Sequence, residues 1–400
     1  MIKTVVLLGG GIQEVAAVKQ LQHDGWKVCV VDQNPHCACS EYANCLIISD
    51  CNNVERITQE IVAAQSKIGN PKAVFTLTEL TTSASIIASA LNLKAPSIKS
   101  VAISQSKAIS KKLWLKKNIP TPAGVIYNKK NNLHTLKKKI KLPCVVKPSI
   151  GYGGRGVTIV KKSKSLGKAI SAALESSSDG TCIIEDYVEG TLHDGNAFFL
   201  TRRRFYPLSI SDRFYINKNN LSGKTIGSLP SKLERERQEK FFLVFKKACL
   251  ALGIDYGPVK MDAIWDGKKF YVLEVAARLH GPRGTLHMIP NAYGKSLLVD
   301  VINALSNDQK PNWYFLKPKR VSIYEDVFLN PQSTLLPPNN KGVGSESEIA
   351  YLQLLSEKIN NGRKNKDYKI HTCIFCYGKD LDSCMAKKGE FKRQLFRTHF

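Results

Sequence analysis

Residues 143–160 read P-C-V-V-K-P-S-I-G-Y-G-G-R-G-V-T-I-V, and few folds accommodate such a stretch. An apolar run of Cys144, Val145 and Val146 ends in Lys147. Glycines follow at Gly151, Gly153, Gly154 and Gly156, and a second apolar run leads away from them. Two short strands around a glycine-rich tip form a hairpin whose backbone amides lie open to an anion. Without side chains at four positions, the main chain can approach a polyphosphate closely. Lys147 and Arg155 add positive charge. The spacing is not G-x-x-x-x-G-K-[ST], and no helical pattern begins after the glycines, so the stretch reads as a flap over phosphates and not a P-loop. The bland alternative is a glycine hairpin with no ligand; Lys147, at the end of a buried strand, favours the phosphate reading.

Upstream, residues 2–8 form an apolar strand and Gly9, Gly10 and Gly11 a turn. Residues 12–23 follow as a helix with Val15, Val18 and Leu21 on one face, then a strand over 28–31 ending in Asp32. This β-α-β start is that of a doubly wound nucleotide-type domain. The dinucleotide fingerprint requires glycine at position 14, where the chain has Glu14; Asp32 keeps a nicotinamide cofactor open on this stretch alone. Two more units, strand 45–48 with helix 53–67 and strand 73–77 with helix 79–91, complete a small α/β domain near residue 100.

A basic helix is expected within 104–122, closed by Asn118. Strand 125–127 and a short helix over 133–139 precede the glycine hairpin, and helix 163–175 follows it. Strand 182–188 delivers Glu185. Antiparallel strands are expected at 196–200 and 205–210, and helices at 233–252 and 295–305. Beyond a polar linker at 337–344 come a helix over 346–359 and a last strand at 369–377. The hairpin of strands 259–265 and 270–276 carries Asp262 and Glu274. A tight two-residue turn at Asp266-Gly267 would leave the two acids on opposite faces. A bulge or an odd loop would put both on one face, spaced to hold Mg²⁺ against phosphates. Pairing of Glu274 with Arg278 or Lys260 on a solvated face is the alternative.

Composition narrows the partners. The 400 residues include 59 Lys+Arg against 33 Asp+Glu, a net charge of +26. The lysines are scattered along the chain and no aromatic-interleaved basic motif is present, which disfavours nucleic acid. Eleven cysteines without a secretory signal point to a reducing cytoplasm. Neither Cys37, Cys39, Cys45 and Cys51 nor the pair Cys373 and Cys376 has the spacing of a zinc site.

Lys107, Lys147 with its glycine hairpin, the segment 185–188, Asp262 and the segment 274–278 occur in the order and approximate spacing of the ATP-grasp superfamily. Over roughly residues 1–310 the chain resembles its carboxylate–amine ligases, a group with amino-acid ligases and with relatives among the purine carboxylases and carbamoyl-phosphate synthases. The resemblance implies an N-terminal doubly wound α/β domain (1–103), an ATP-grasp α+β module (104–310, lobes 104–180 and 181–310) and a small C-terminal α/β region (311–400). It implies that Lys107, Lys147 and the glycines 151, 153, 154 and 156 contact ATP phosphates. It gives Glu185 the adenine amino group, the Val188 amide the adenine ring, and Asp262 and Glu274 Mg²⁺, or Mn²⁺ in its place. Arg278 would stabilise the acyl phosphate, and Arg283 and Arg213 would grip a substrate carboxylate. The implied activity is ADP-forming C–N ligation, through an acyl phosphate, of small-molecule carboxylates and amines expected to be amino-acid-like, in a cytoplasmic protein with a homodimer among its expected states and no membrane partner. Two positions depart from the family pattern: Ala276 stands where a metal-binding asparagine is frequent, and Leu192 where a ribose-binding glutamate is. The rivals are a purine-pathway or carbamoyl-phosphate-type enzyme, an ATP-binding protein without turnover, and a nicotinamide-dependent reductase.

Overall fold

Strands β1 (Lys3–Leu8), β2 (Trp26–Asp32), β3 (Cys45–Ile48) and β4 (Pro71–Phe75) pair in parallel in the order β3-β2-β1-β4. The structure, a computed structural model, describes residues 3–130, 139–215, 225–329, 349–355 and 370–397. Helix α1 (Val15–His23) connects β1 to β2, α2 (Val54–Ile68) connects β3 to β4, and α3 (Thr81–Ala90) follows β4. Both faces of a parallel sheet must be covered, and alternate residues of β1 show how. Val6 and Leu8 pack with Ile57, Ile61 and Ile87 of α2 and α3. Val5 and Leu7 pack with Val18 and Leu21 of α1, and also with Leu298 and Val301 from nearly 300 residues downstream.

The basic helix expected within 104–122 is α5 (Lys107–Lys116), and a further helix, α4 (Ile98–Gln105), precedes it. Ser106 breaks them: its backbone is extended and its hydroxyl accepts from the Ile109 amide at 3.3 Å, capping α5. A small antiparallel sheet follows, in the order β5-β8-β6-β7, built from β5 (Gly124–Asn128), β6 (Cys144–Pro148), β7 (Thr158–Val160) and β8 (Thr181–Asp186). Helix α6 (Leu166–Glu175) packs on it through Leu166, Ala169, Ile170 and Ala173. β8 ends at Asp186, two residues before the expected end. The expected helix over 133–139 lies almost wholly outside the described residues, as does the linker over 337–344.

The remaining strands form one eight-stranded antiparallel sheet, β13-β12-β9-β10-β11-β14-β16-β15. They are β9 (Thr191–Phe199), β10 (Phe205–Tyr215), β11 (Thr225–Leu229), β12 (Gly257–Trp265), β13 (Phe270–Ala276), β14 (Val321–Leu329), β15 (Ile349–Leu355) and β16 (Ile370–Gly378). One face packs helix α7 (Arg235–Ala251) through Phe241, Phe245 and Ala248. Gly195 permits this contact, since a Cβ there would stand 2.4 Å from the Phe241 ring. The other face joins the core under the parallel sheet, together with α8 (Ile289–Tyr293) and α9 (Leu297–Asn307). Helix α10 (Leu381–Arg397) ends the described chain. The expected helix over 346–359 is not formed where it is described: 349–355 is the edge strand β15, paired to β16. Pairing with a formed sheet overrides a local pattern compatible with either state.

His287 lies in a single π-helical turn (Arg283–Met288), its ring 4.6 Å from that of Phe375 on β16. Burial pushes its pKa down to about 4, so the folded chain keeps it neutral where the unfolded chain, near 6.5, takes a proton. Stability is therefore full above about pH 6.5 and falls as pH drops toward 4. Urea unfolding of the wild type should lose about 2 kcal/mol more between pH 7 and pH 5 than that of His287→Leu. Equal losses in the two proteins would remove this assignment.

Candidate active site

The bulge that sequence left open is present. Across the β12–β13 hairpin Trp265 pairs with Phe270 and Ala263 with Val272, and the register then shifts so that Asp262 faces Glu274 directly. The extra residue, Leu273, turns both carboxylates to one face of the sheet. On the other side of β12, Asp262 also stands opposite Asp194 of β9. Three acids thus share one face of three adjacent strands. Like charges this close require compensation, and three cationic side chains and an imidazole ring lie against them. The Lys107 ammonium lies 3.2 Å from Glu274, and that of Lys260 lies 3.0 Å from Glu274 and 3.2 Å from Asp262. Arg213 lies 2.6 Å from Asp194 and 3.8 Å from Asp262, and the His280 ring 3.3 Å from Asp194.

The titration directions follow. Burial alone would raise Glu274, but Lys107 and Lys260 outweigh it and hold the carboxyl well below its usual range. Burial would likewise raise Asp194, and Arg213 and His280 reverse it. Burial would lower Lys260, and Asp262 and Glu274 keep it above the ordinary lysine value.

A cleft of about 700 Å³ runs between this face and the small sheet. Lys107, Lys147, Gly151, Gly153, Gly154, Glu185, Val188, Asp262 and Glu274 all line it. Gly156 does not line it but anchors the flap's return. With φ +70°, and with a Cβ that would lie 2.7 Å from the Ser176 hydroxyl, the position requires glycine twice over. Lys107 donates to the Gly151 carbonyl at 2.8 Å, tying α5 to the flap. Arg278 and Arg283 lie outside the cleft lining. Arg278 pairs with Glu79 of the segment before α3 and donates to the Leu279 carbonyl at 3.0 Å, and Arg283 sits in the π-helical turn. Arg213 lines the cleft and contacts two of the three acids.

Residues 106–282 match the family model of the ATP-grasp domain. Over those residues the chain is similar to ATP-grasp domains. Solved structures of similar fold span nearly its whole length. An L-amino acid ligase from Bacillus licheniformis superposes with a TM-score of 0.75 at 17% identity, covering 99% of this chain and 97% of that one. N5-carboxyaminoimidazole synthetase from Staphylococcus aureus, complexed with ADP, gives 0.73 at 15% identity over 98% and 97%. The biotin carboxylase domain dimer of the Hydrogenobacter thermophilus 2-oxoglutarate carboxylase, in complex with MgADP, gives 0.68 at 18% identity over 94% and 86%.

In the ATP-grasp frame the donor set fits a hard divalent ion. Asp262 and Glu274 supply carboxylate oxygens from opposed strand positions, and phosphate oxygens complete such a shell. Ala276 adds no oxygen. Asp194, Asp262 and His280 each bring a ligand atom within 4.8 Å of the others, but Arg213 lies among them, bonded to Asp194 and 2.8 Å from His280, which makes this an ion-pair cluster.

Sequence reasoning missed Lys111. One turn after Lys107 on α5, its ammonium is buried 3.0 Å from Glu185, while Lys147 sits 2.5 Å from the same carboxylate. The i, i+4 spacing on a capped helix was the available signal. Burial would raise Glu185, and the two lysines pull it below its usual range; burial lowers Lys111 against Glu185's pull. Lys111→Met should cost about 3 kcal/mol, because it takes one cation from a buried carboxylate. Glu185→Gln in the Lys111→Met background should recover part of that loss. A double-mutant cycle in urea checks this, and strictly additive effects would mean that the pair does not interact.

Proposed function

We propose that the protein is an ATP-dependent, ADP-forming carboxylate–amine ligase acting through an acyl phosphate on amino-acid-like substrates. The observation that carries the reading is the bulged β12–β13 register, which sets Asp262 against Glu274 on the wall of a cleft roofed by the glycine flap. Lys107 and Lys147, with the amides of the flap, would neutralise and orient the triphosphate, and Glu185 and the Val188 amide would hold the adenine. Asp262 and Glu274 would hold Mg²⁺, which when bound supplies charge neutralisation at the transferring phosphoryl group.

A substrate carboxylate oxygen attacks the γ-phosphorus, and the bond to the β–γ bridging oxygen breaks to release ADP. The amine nitrogen then attacks the activated carbonyl, phosphate leaves, and the nitrogen gives up a proton. Arg213 stands at the acidic face and lines the cleft with Arg155 and Arg237, whereas Arg278, held by Glu79, lies outside the lining. The acyl phosphate hydrolyses in water, so closure of the flap belongs to the mechanism.

The reading carries small-molecule partners, a cytoplasmic setting and a homodimer. None of the eleven cysteines forms a disulfide, in keeping with a reducing compartment. No helix among the described residues is long and apolar enough to cross a membrane.

Mg²⁺-dependent ADP and phosphate release across a panel of amino-acid pairs tests the proposal. Release that requires two amino acids together supports it. Release only with bicarbonate or purine-ring amines would move the protein to the carboxylase type. Nucleotide binding with silence on both panels would leave a binder without turnover.

A further inference from the structure

Lys260 has no place in the ligand set just described, yet it is buried at its centre. Its ammonium stands 3.2–3.3 Å from the two oxygens of Asp262 and 3.0 Å from Glu274, with the side chain 8% exposed. It reaches this point because residues 260 and 262 lie two apart on β12 and so share a face. Directly across the hairpin, Lys260 pairs with Ala276. The small side chain adds no third oxygen beside Glu274 and leaves the lysine stem room to lie along the strand.

We propose that Lys260 is a built-in counter-cation of the metal site, so that the site takes one divalent ion per nucleotide and not two. This rests on the ATP-grasp reading of the cleft and adds the stoichiometry of its metal. A small hard ion needs its oxygens near 2.1 Å and six of them. With the ammonium bridging Asp262 and Glu274, each acid has part of its lone-pair capacity taken, and no neutral oxygen is added at position 276. A second divalent ion would have to share two carboxylates with a fixed positive charge about 3 Å from each. A single ion would meet that repulsion once, offset by the negative charge of the triphosphate, and a second would double it. The ammonium then supplies from the protein part of the charge that a second ion would bring.

Mn²⁺ titration in the presence of saturating ADP, followed by the electron paramagnetic resonance signal of free Mn²⁺, reads the stoichiometry directly. The wild type should bind one ion per chain. Lys260→Met, which keeps the stem and removes the charge, should gain a second ion or bind its ions at least tenfold more tightly. Lys260→Arg, which keeps the charge, should stay at one. Two ions of similar affinity in the wild type would overturn the proposal, as would a Lys260→Met protein with unchanged stoichiometry and affinity. If Lys260→Met fails to fold, the wild-type count and Lys260→Arg still decide. Binding of a fluorescent ADP analogue in parallel separates the two levels: no nucleotide binding in the wild type overturns the ATP-grasp reading itself, whereas nucleotide binding with two ions overturns only the role of Lys260.

Discussion

Glu274→Ala is expected to lower ADP release by about a thousandfold or more while the chain still folds. Glu274 is where the proposed metal site, Lys107 and Lys260 meet: Lys107 lies 3.2 Å away and Lys260 3.0 Å away. On the proposed function, removing the carboxylate would delete a metal ligand and leave two ammonium groups without their acid. Folding should survive, because Lys260 retains Asp262 and Lys107 retains the Gly151 carbonyl. The stability loss should be about 1–3 kcal/mol, the range for a partner removed from a partly buried pair. Glu274→Gln separates charge from shape, since it keeps the volume and one oxygen. Steady-state ADP release and circular dichroism, measured on the same preparations, check the pair of claims. An unaltered rate in Glu274→Ala would end the metal assignment, and a lost cooperative transition would show a structural role instead.

Trp114→Ala should destabilise the chain by about 3–5 kcal/mol, the range for truncating a buried large aromatic. Trp114, 1% exposed, sits on α5 between the sheet core and α7, and its indole donates to the Ala248 carbonyl at 3.1 Å. The substitution opens a cavity and leaves that carbonyl unpaired. Because α5 also carries Lys107 and Lys111, loosening it should weaken ADP binding even where the protein remains folded. Urea unfolding gives the first quantity and ADP titration at low temperature the second. Trp114→Phe fills most of the cavity and should recover more than half of the stability loss. A cost below about 1 kcal/mol for Trp114→Ala would show that the packing relaxes around it.

Much of this was legible in the residues. The β-α-β start, the glycine hairpin and the β12–β13 pair are local patterns, and local patterns are written in consecutive residues. Even the bulge was available as one of two registers, decided in the folded chain by the pairing of Asp262 with Glu274. What sequence withheld was pairing across distant strands. Asp194 faces Asp262 because β9 and β12 are neighbours, and nothing near residue 194 announces it. Arg278 meets Glu79 across 199 positions, a contact that no local pattern announces. Residues 349–355 show the opposite limit: an apolar pattern readable as a helix became an edge strand because β16 was there to receive it.

The layout of the core bears on how the chain reaches this state. One face of the parallel sheet, formed from the first 75 residues, is covered only in part, by α1, until Leu298 and Val301 of α9 have been synthesised. The large sheet is likewise open at β11 until β14 arrives and at β14 until β16 does. During synthesis on the ribosome, the early strands therefore wait with apolar surface exposed for more than two hundred residues. Chains stopped near residue 310 would keep α9 but lose Trp313, whose indole closes on Leu208, and would end with a bare β11 edge. Such late closure favours slow maturation, dependence on chaperones and aggregation of truncated products over the stepwise release of finished domains.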